Sequence, residues 1–415
     1  MRQKGTIGWL KHDVTHRGYT AWALFVVLLT FYFLLYFPDK FGQGAQVFGA
    51  SKETVRSMYQ LGDTLNVFQH FMVWFGGAVG ADVKQGWDPV WNKWTLYGVL
   101  YTIGMIGGGL LAMRKYAHNR YQVIRMGVIM FIQGVFGFTL PLAMGAYGYY
   151  SYYFSYFWPL KIEYLYPDNL VKMPLPLILY GVLGGVLLAP LLGIFLGKRW
   201  YCAWVCGCGG LANTFGDPWR QLSSKSQTSW TFERYSIHIT LIVALMTTAL
   251  VSVSYLLAGV KSGISPETIA AIQQTSAVAK FLYGVLVVAL LSGAVGVAFY
   301  PLGGTRIWCR FFCPMAALLG LVQKFGRYRI TVKKNMCISC GMCSKYCEMG
   351  IDVRAYAQRN QSFVRASCVG CGLCAEVCPR GVLRLENVDD LDPQELSMNH
   401  LLANAHAYEP ERKAV

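Results

Sequence analysis

Charge is the scarcest property of this chain, negative charge above all. Of 415 residues 14% are charged, with 21 Asp and Glu against 37 Lys and Arg. Six stretches, residues 19–37, 96–113, 126–144, 175–196, 237–257 and 281–300, hold no Asp, Glu, Lys or Arg and are long enough to cross a bilayer as helices. With no carboxylate inside them there is no relay for protons and no ligand for sodium, so this chain alone makes a poor ion pump. Histidine is missing there too, apart from His238, and paired axial ligands for an intramembrane haem are therefore absent. The basic excess, a net charge of +16, is spread over loops beside the apolar stretches. It forms no compact groove-reading module, which sets nucleic-acid binding aside.

What is present points to the membrane: 54% of the residues are hydrophobic and 15% aromatic. The expected architecture is an α-helical polytopic membrane domain of six transmembrane helices, residues 19–302, behind a basic lead at residues 1–18. Arg2, Lys4, Lys11 and Arg17 precede a first span whose length suits a retained anchor better than a cleaved secretory signal. Residues 64–81 are apolar but contain Asn66, Gln69 and His70 between Asp63 and Asp82, and read as an interfacial or re-entrant helix. A seventh crossing there would put the basic N-terminus outside, against the positive-inside rule.

With both termini inside, the inner segments carry 28 basic and 13 acidic residues, and the outer ones 9 and 8. The short loop with Arg114, Lys115, Arg120 and Arg125 holds no acid at all. The expectation is a multi-pass protein of the cytoplasmic (inner) membrane, its basic loops against anionic lipid headgroups and both termini in the cytoplasm. The outer loop at 145–174 crowds Tyr147, Tyr149, Tyr150, Tyr152, Tyr153, Phe154, Tyr156, Phe157 and Trp158. An aromatic belt at the membrane surface is expected there; a quinone or partner-docking surface is the sharper reading.

Eight of the 13 cysteines fall into two copies of one pattern near the C-terminus. Cys337-x2-Cys340-x2-Cys343-x3-Cys347 is followed by Cys368-x2-Cys371-x2-Cys374-x3-Cys378 and Pro379. In a two-cluster bacterial-type ferredoxin three close thiolates hold one cube, and the fourth reaches the other. Cys337, Cys340, Cys343 and Cys378 are therefore expected on one 4Fe-4S cluster, and Cys368, Cys371, Cys374 and Cys347 on a second. Zinc ribbons use two CxxC pairs instead. Glu348 follows Cys347 where proline is expected, which leaves the ligands intact but predicts a less rigid turn. The expected domain is a small α+β unit at 328–386, with RITV before the first motif and SFVRA and GVLRL bracketing the second. So small a unit draws much of its folding energy from the clusters. A linker at 303–327 precedes it, and an exposed tail at 387–415 follows.

A second constellation lies past the ends of the fourth and sixth spans. Gly197-Lys-Arg199-Trp-Tyr-Cys202-x3-Cys206 matches Gly304-Thr-Arg306-Ile-Trp-Cys309-x3-Cys313-Pro314. Cysteines four apart on a helix share a face, so the two pairs could converge on four thiolates whose pKa Arg199 and Arg306 would lower. A metal or iron-sulfur centre, a redox dithiol or capture of a soft ion would suit Cys202, Cys206, Cys309 and Cys313. Buried structural cysteine is the plain alternative. Cys208, the thirteenth, is left outside this site.

Together these motifs resemble the membrane polyferredoxins of the NapH, NosR and CcoG type, over roughly residues 95–385. Cys206 is followed by Gly207 where the family has proline, and there is no room for the outer flavin domain of NosR or the extra C-terminal domain of CcoG. The resemblance implies electron transfer at the membrane, linked to the quinone pool, to reductase maintenance or to copper reduction. The leading expectation is an electron-transfer subunit between a quinol or partner redox subunits and the clusters, with Arg125, Gln133 and His238 as candidate quinone-site residues. The alternative is a copper reductase or a maturation factor for a respiratory metalloenzyme that uses the same clusters and the CxxxC pairs.

Overall fold

The computed structural model describes residues 13–36, 93–146, 149, 151–196, 199–259, 265–326 and 328–387. The segment at 64–81, the first twelve residues, the tail beyond 387, and Gly197 and Lys198 of the first cysteine repeat lie outside the described residues. All six expected spans have helical counterparts: α1 (Tyr19–Tyr36), α2 (Lys93–Lys115), α3 (Arg120–Gly145), α4 (Leu175–Phe195), then two short helices α5 (Trp200–Trp204) and α6 (Gly207–Asn213), then α7 (Gln227–Ala258) and α8 (Pro266–Ala298). Among the described residues four of these, α3, α4, α7 and α8, are long and apolar enough to cross a membrane. Helix α2 is diluted by glycine, and Gly108 lets the backbone of Thr214 and Phe215 lie directly on it.

Local chemistry sets the helix starts. The Asn119 side chain accepts from the Gln122 amide at 3.2 Å to cap α3, and Ser265 with Pro266 opens α8. Helices α3, α4 and α8 each contain a π-helical stretch, at 135–139, 183–188 and 283–295, a departure that gathers at functional sites. Helix α2 packs on α3 with α6 wedged against both, α1 packs on α8, and α7 packs on α8 and on α9 (Pro314–Val322).

The aromatic loop is not simply a surface belt. Tyr152, Ser155 and Phe157 are buried, Tyr152 stacks on Tyr164 with centroids 4.3 Å apart, and the Tyr201 hydroxyl donates to the Ser155 carbonyl. Tyr149 stays exposed. The loop folds inward because its rings find partners between α3 and α4 that a bare membrane surface would not supply.

The C-terminal unit is a two-stranded antiparallel sheet, β1 (Tyr328–Val332) with β2 (Leu383–Asn387), registered so that Ile330 faces Leu385. SFVRA does not become a strand, apart from one bridge between Phe363 and Ile330. Its backbone acceptors are used elsewhere: Gln323 donates to the Arg365 carbonyl, and Arg199 to that of Ala366. The two cysteine runs adopt matching backbones. Gly341 and Gly372 sit at φ 75° and 72° just before the short helices α10 (Met342–Lys345) and α12 (Leu373–Glu376), and α11 (Val353–Gln358) lies between.

A Cβ on Gly372 would meet Leu385 Cδ2 at an ordinary 3.6 Å, so only the backbone objects to a side chain. Gly372→Ala is expected to destabilise this unit by about 1–2 kcal/mol, read as a lower thermal midpoint for loss of its visible absorption. Gly127→Ala, in open space on α3, should leave that midpoint unchanged.

Candidate functional site

Four arginines lie fully buried in the helical part of the molecule, Arg125, Arg199, Arg220 and Arg306, and they meet the C-terminal unit along one seam. Arg199 donates through Nε to the Ala366 carbonyl at 2.7 Å and through Nη1 to the Cys309 carbonyl at 2.9 Å, while its backbone N–H donates to the Cys368 carbonyl at 3.2 Å. Arg306 does the same work from the second repeat. Its Nη2 pairs with Glu348 at 3.1 Å, and its Nη1 reaches the Cys202 carbonyl at 3.3 Å and Cys309 Sγ at 3.8 Å. Arg220 closes on the other oxygen of Glu348 at 3.3 Å. Burial would push the Glu348 carboxyl up, but Arg220, Arg306 and Arg125 outweigh it and hold it down at about 2. The turn expected to be loose without proline is instead pinned by ion pairs and by the Ser223 hydroxyl, which donates to the Glu348 carbonyl at 2.6 Å.

Within the C-terminal unit Cys337, Cys340, Cys343 and Cys378 line one cavity. Cys374 feels Cys371, Cys368 and Cys347, and burial together with those neighbours pushes its thiol up. Each run thus sends its last cysteine to the other. The Cys347 and Cys378 sulfurs accept N–H donors from equivalent places, Ile351 at 3.4 Å and Val382 at 3.3 Å. Four convergent thiols with backbone donors to sulfur fit the requirements of an iron-sulfur cube at each place. Cys340 is the one exposed cysteine of the thirteen.

The CxxxC pairs are built differently from the single helical face expected. Cys202 sits in α5 and Cys309 in a π turn at 308–312, and in both copies the chain breaks at the second cysteine, which becomes the N-cap of the next helix. Pro314 enforces that break in one copy; in the other, Gly209 allows α6 to press against the Cys202 carbonyl. Cys202, Cys206, Cys309 and Cys313 nevertheless come together, all buried in one core with residues of the C-terminal unit.

Arg199 and Arg306 do lower Cys202 and Cys309, as expected, but they are outweighed. Burial is the largest cause at Cys202, Cys309 and Cys313, the neighbouring thiols add to it, and all three are pushed up. Cys206 alone moves down, chiefly through a hydrogen bond with the Cys208 thiol. Cys208 therefore joins the group, and with Cys309 it lines a cavity of about 50 Å³ walled by Tyr36, Tyr97, Tyr101, Tyr156 and Tyr300. Its odd count was the only mark in the sequence; the position two residues after Cys206 carries no recognised spacing.

None of the three candidate quinone residues lines that cavity. Arg125 is sealed under the C-terminal unit, donating to Gln122 at 2.7 Å, while Gln122 donates to the Cys371 carbonyl. Two nitrogens of Arg125, Nε and Nη1, have no hydrogen-bond partner among the described residues. Gln133 joins helices, donating to the Val205 carbonyl and accepting from Tyr101 at 3.3 Å. His238 stands half-buried on α7.

Family comparison matches residues 330–385 to a 4Fe-4S dicluster domain. It matches residues 178–226 and 284–333, each with one CxxxC pair, to a 4Fe-4S binding domain. An uncharacterized protein of Methanocaldococcus jannaschii, MJ0749, is 27% identical over 159 residues, 38% of this chain and 55% of that protein. YccM of Escherichia coli K12, described as an electron transport protein, is 41% identical over 46 residues, 11% of this chain and 13% of that protein. The matched segments thus span about half of one relative and a small part of the other. No solved structure matches. The chain carries ferredoxin-type 4Fe-4S domains, supporting iron-sulfur electron transfer, beside apolar helices of membrane-spanning length.

Removing the Glu348 carboxylate would leave Arg220 and Arg306 buried without their shared counter-ion. Glu348→Ala should cost about 3–5 kcal/mol, visible as an early thermal transition of the purified protein in detergent. Glu376→Ala, whose partner His118 is itself partly exposed, should change little.

Proposed function

We propose that this chain is a membrane-bound electron-transfer subunit that relays single electrons between the quinone pool or a partner redox protein and two cytoplasmic 4Fe-4S clusters. Cys337, Cys340, Cys343 and Cys378 hold the outlying cluster, and Cys347, Cys368, Cys371 and Cys374 the one against the seam. When bound, these groups supply one-electron carriers. On this reading the chain crosses the membrane six times with both termini inside, an orientation that the charge asymmetry of its loops supports. One observation supports the relay most directly. Arg306 contacts Cys309 Sγ with one nitrogen and, with the other, the Glu348 carboxylate that follows Cys347. The thiol site and the inner cluster site are thus joined through a single buried side chain. The resemblance to NapH, NosR and CcoG polyferredoxins points the same way.

Arg125 belongs to this relay as a fixed charge. Its two unpartnered nitrogens are buried, and together with Arg220 it favours the Cys371 thiolate against burial and against Glu348, which push that thiol up. A cluster carrying net negative charge at Cys371 would give Arg125 the counter-ion it otherwise wants. Arg125→Gln is expected to lower the reduction potential of the inner cluster and leave the outer one unmoved, with unchanged iron content, in an EPR-monitored redox titration.

The gathering of a fifth thiol, Cys208, next to Cys206 favours a second reading, in which the CxxxC site handles a soft metal ion for assembly of another enzyme. Iron and sulfide analysis of the anaerobically purified protein separates the two. More than eight irons per chain, with the excess lost in Cys202→Ser, identifies a resident iron-sulfur centre at the site. Eight irons in both proteins, with copper-dependent maturation of a partner enzyme lost in Cys309→Ser/Cys313→Ser while quinol still reduces the clusters, overturns a relay role for those thiols.

A further inference from the structure

Resting on the cluster assignment proposed above, we infer that the face around Cys340 is a docking surface for a small acidic one-electron carrier protein, which exchanges electrons there with the cluster held by Cys337, Cys340, Cys343 and Cys378. Cys340 is exposed, and beside it Ile338 is 53% and Met336 36% exposed. Five cationic side chains stand in the open around them, Lys333, Lys334, Arg354, Arg359 and Arg380. Arg354 and Arg380 line the same cavity as the four cysteines. An apolar centre inside a polar rim is the anatomy of a protein interface, and a compact face suits the small contacts of electron-transfer encounters.

No acid offsets the rim. Residues 328–387 hold four, none of them exposed, and each has a partner. Glu348 is matched to Arg220 and Arg306, Asp352 accepts from the Ser344 hydroxyl at 2.6 Å, Glu376 accepts from Asn119 at 2.8 Å, and Glu386 pairs with Arg384 at 3.3 Å. A field of one sign over a cluster ligand speeds encounter with a partner of the opposite sign.

The rim is also held in shape. The Asn335 N–H donates to the Asn360 side chain at 2.7 Å, and Asn360 donates back to the Asn335 side chain at 3.0 Å. Gln358 donates to the Ser339 hydroxyl at 2.8 Å, and the Lys333 N–H to the Val382 carbonyl at 2.9 Å. The loop with Lys333 and Lys334, the end of α11 with Arg359 and the turn with Arg380 are thereby clasped around Cys340. Asn335, Ser339 and Asn360 sit at φ 58°, 59° and 57°, and among the described residues they are the three non-glycine residues at positive φ. Such conformations persist where the surroundings fix them, and they gather at functional sites.

Two other occupants compete. Anionic lipid would answer the charge but would seal off Cys340, and the seam with the helical part is made by other residues, Glu348, Ala366, Gly370 and Cys371 among them. The chain's own residues after 387 carry Asp389, Asp390, Asp392 and Glu395. They depart from β2 at Asn387, opposite Tyr328, whereas Lys333 follows the Val332 end of β1, four residues or about 13 Å along the strand. An acidic partner reaches the face from solution and leaves it free between encounters. One electron then passes between the cluster and the partner's own one-electron group, one being oxidised as the other is reduced, with no bond formed or broken.

The test reduces the holoprotein in uncharged detergent with photoreduced 5-deazariboflavin, an uncharged reagent, and mixes it with oxidised cytochrome b5, which is acidic, or cytochrome c, which is basic. Cytochrome b5 is expected to be reduced about tenfold faster or more by the native chain than by Lys334→Glu/Arg359→Glu of equal iron content, with the difference lost at high salt. Cytochrome c should show the opposite order. Lys172→Glu/Arg234→Glu makes the same change in net charge on exposed residues elsewhere and should behave as native; equal slowing there overturns the docking face. If native and reversed chains reduce cytochrome b5 alike, an external acidic partner is overturned, and the full-length variant Asp389→Asn/Asp390→Asn/Asp392→Asn/Glu395→Gln says what replaces it. A charge-dependent rate that appears only in that variant gives the face to the tail, and rates still alike leave it to lipid. In either case, bleaching of the clusters by deazariboflavin leaves the relay standing. No bleaching in protein of full iron content overturns the relay, and the docking face with it.

Discussion

The buried ion-pair set at Glu348 is the constraint on which the rest of this molecule rests. A carboxylate stands where a ferredoxin turn is expected to carry proline, and it is matched to Arg220 from the loop after α6 and to Arg306 from the second cysteine repeat. Neither guanidinium reaches solvent. Desolvating such charges costs several kcal/mol per ion, so the arrangement persists only with all partners in place. The C-terminal unit consequently has one docked position, and Arg199 reinforces it through the Ala366 and Cys368 carbonyls. Glu348 converts a tethered ferredoxin unit into a fixed extension of the helical domain.

The same charges explain why the CxxxC thiols are not simply activated. Arg199 and Arg306 lower the Cys202 and Cys309 thiols, but burial in one core outweighs them. Burial then governs, and only Cys206, bonded to Cys208, resists it. Buried thiols pushed towards their protonated form react slowly with passing oxidants and become a ligand set when a metal displaces the protons. That chemistry suits a resident centre better than a freely reacting dithiol.

Much of this was legible in the sequence because spacing alone carries it. The eight ferredoxin cysteines, the uncharged helices and the paired arginine-cysteine repeats are patterns of local residue identity; RITV falls on β1, and the last three residues of GVLRL open β2. What escaped depends on partners distant in the chain. SFVRA has strand composition but gives its carbonyls to Arg199 and Gln323. The aromatic loop has the composition of a surface belt but finds mates in Gly184, Gly185 and Tyr201. Cys208 joins the thiols only through the helix break at Cys206, and that break is tied to α3 by Gln133, which donates to the Val205 carbonyl.

The two cysteine sets of the C-terminal unit share a motif and a backbone, so any difference between them must come from surroundings. One includes Cys371, close to Arg125 and Arg220 at the seam; the other includes the exposed Cys340. At the inner set Arg220 and Arg125 favour negative charge, but burial and Glu348 oppose them and prevail at Cys371, while water screens the outer set. Equal clusters would pass an electron back as readily as forward. Unequal surroundings give the pair unequal potentials and hence a preferred direction. On the proposed assignment the polarity of the relay is therefore set by the burial and the fixed charges around Cys371, Arg125, Arg220 and Glu348 among them, and not by the cysteine motif that both sets share.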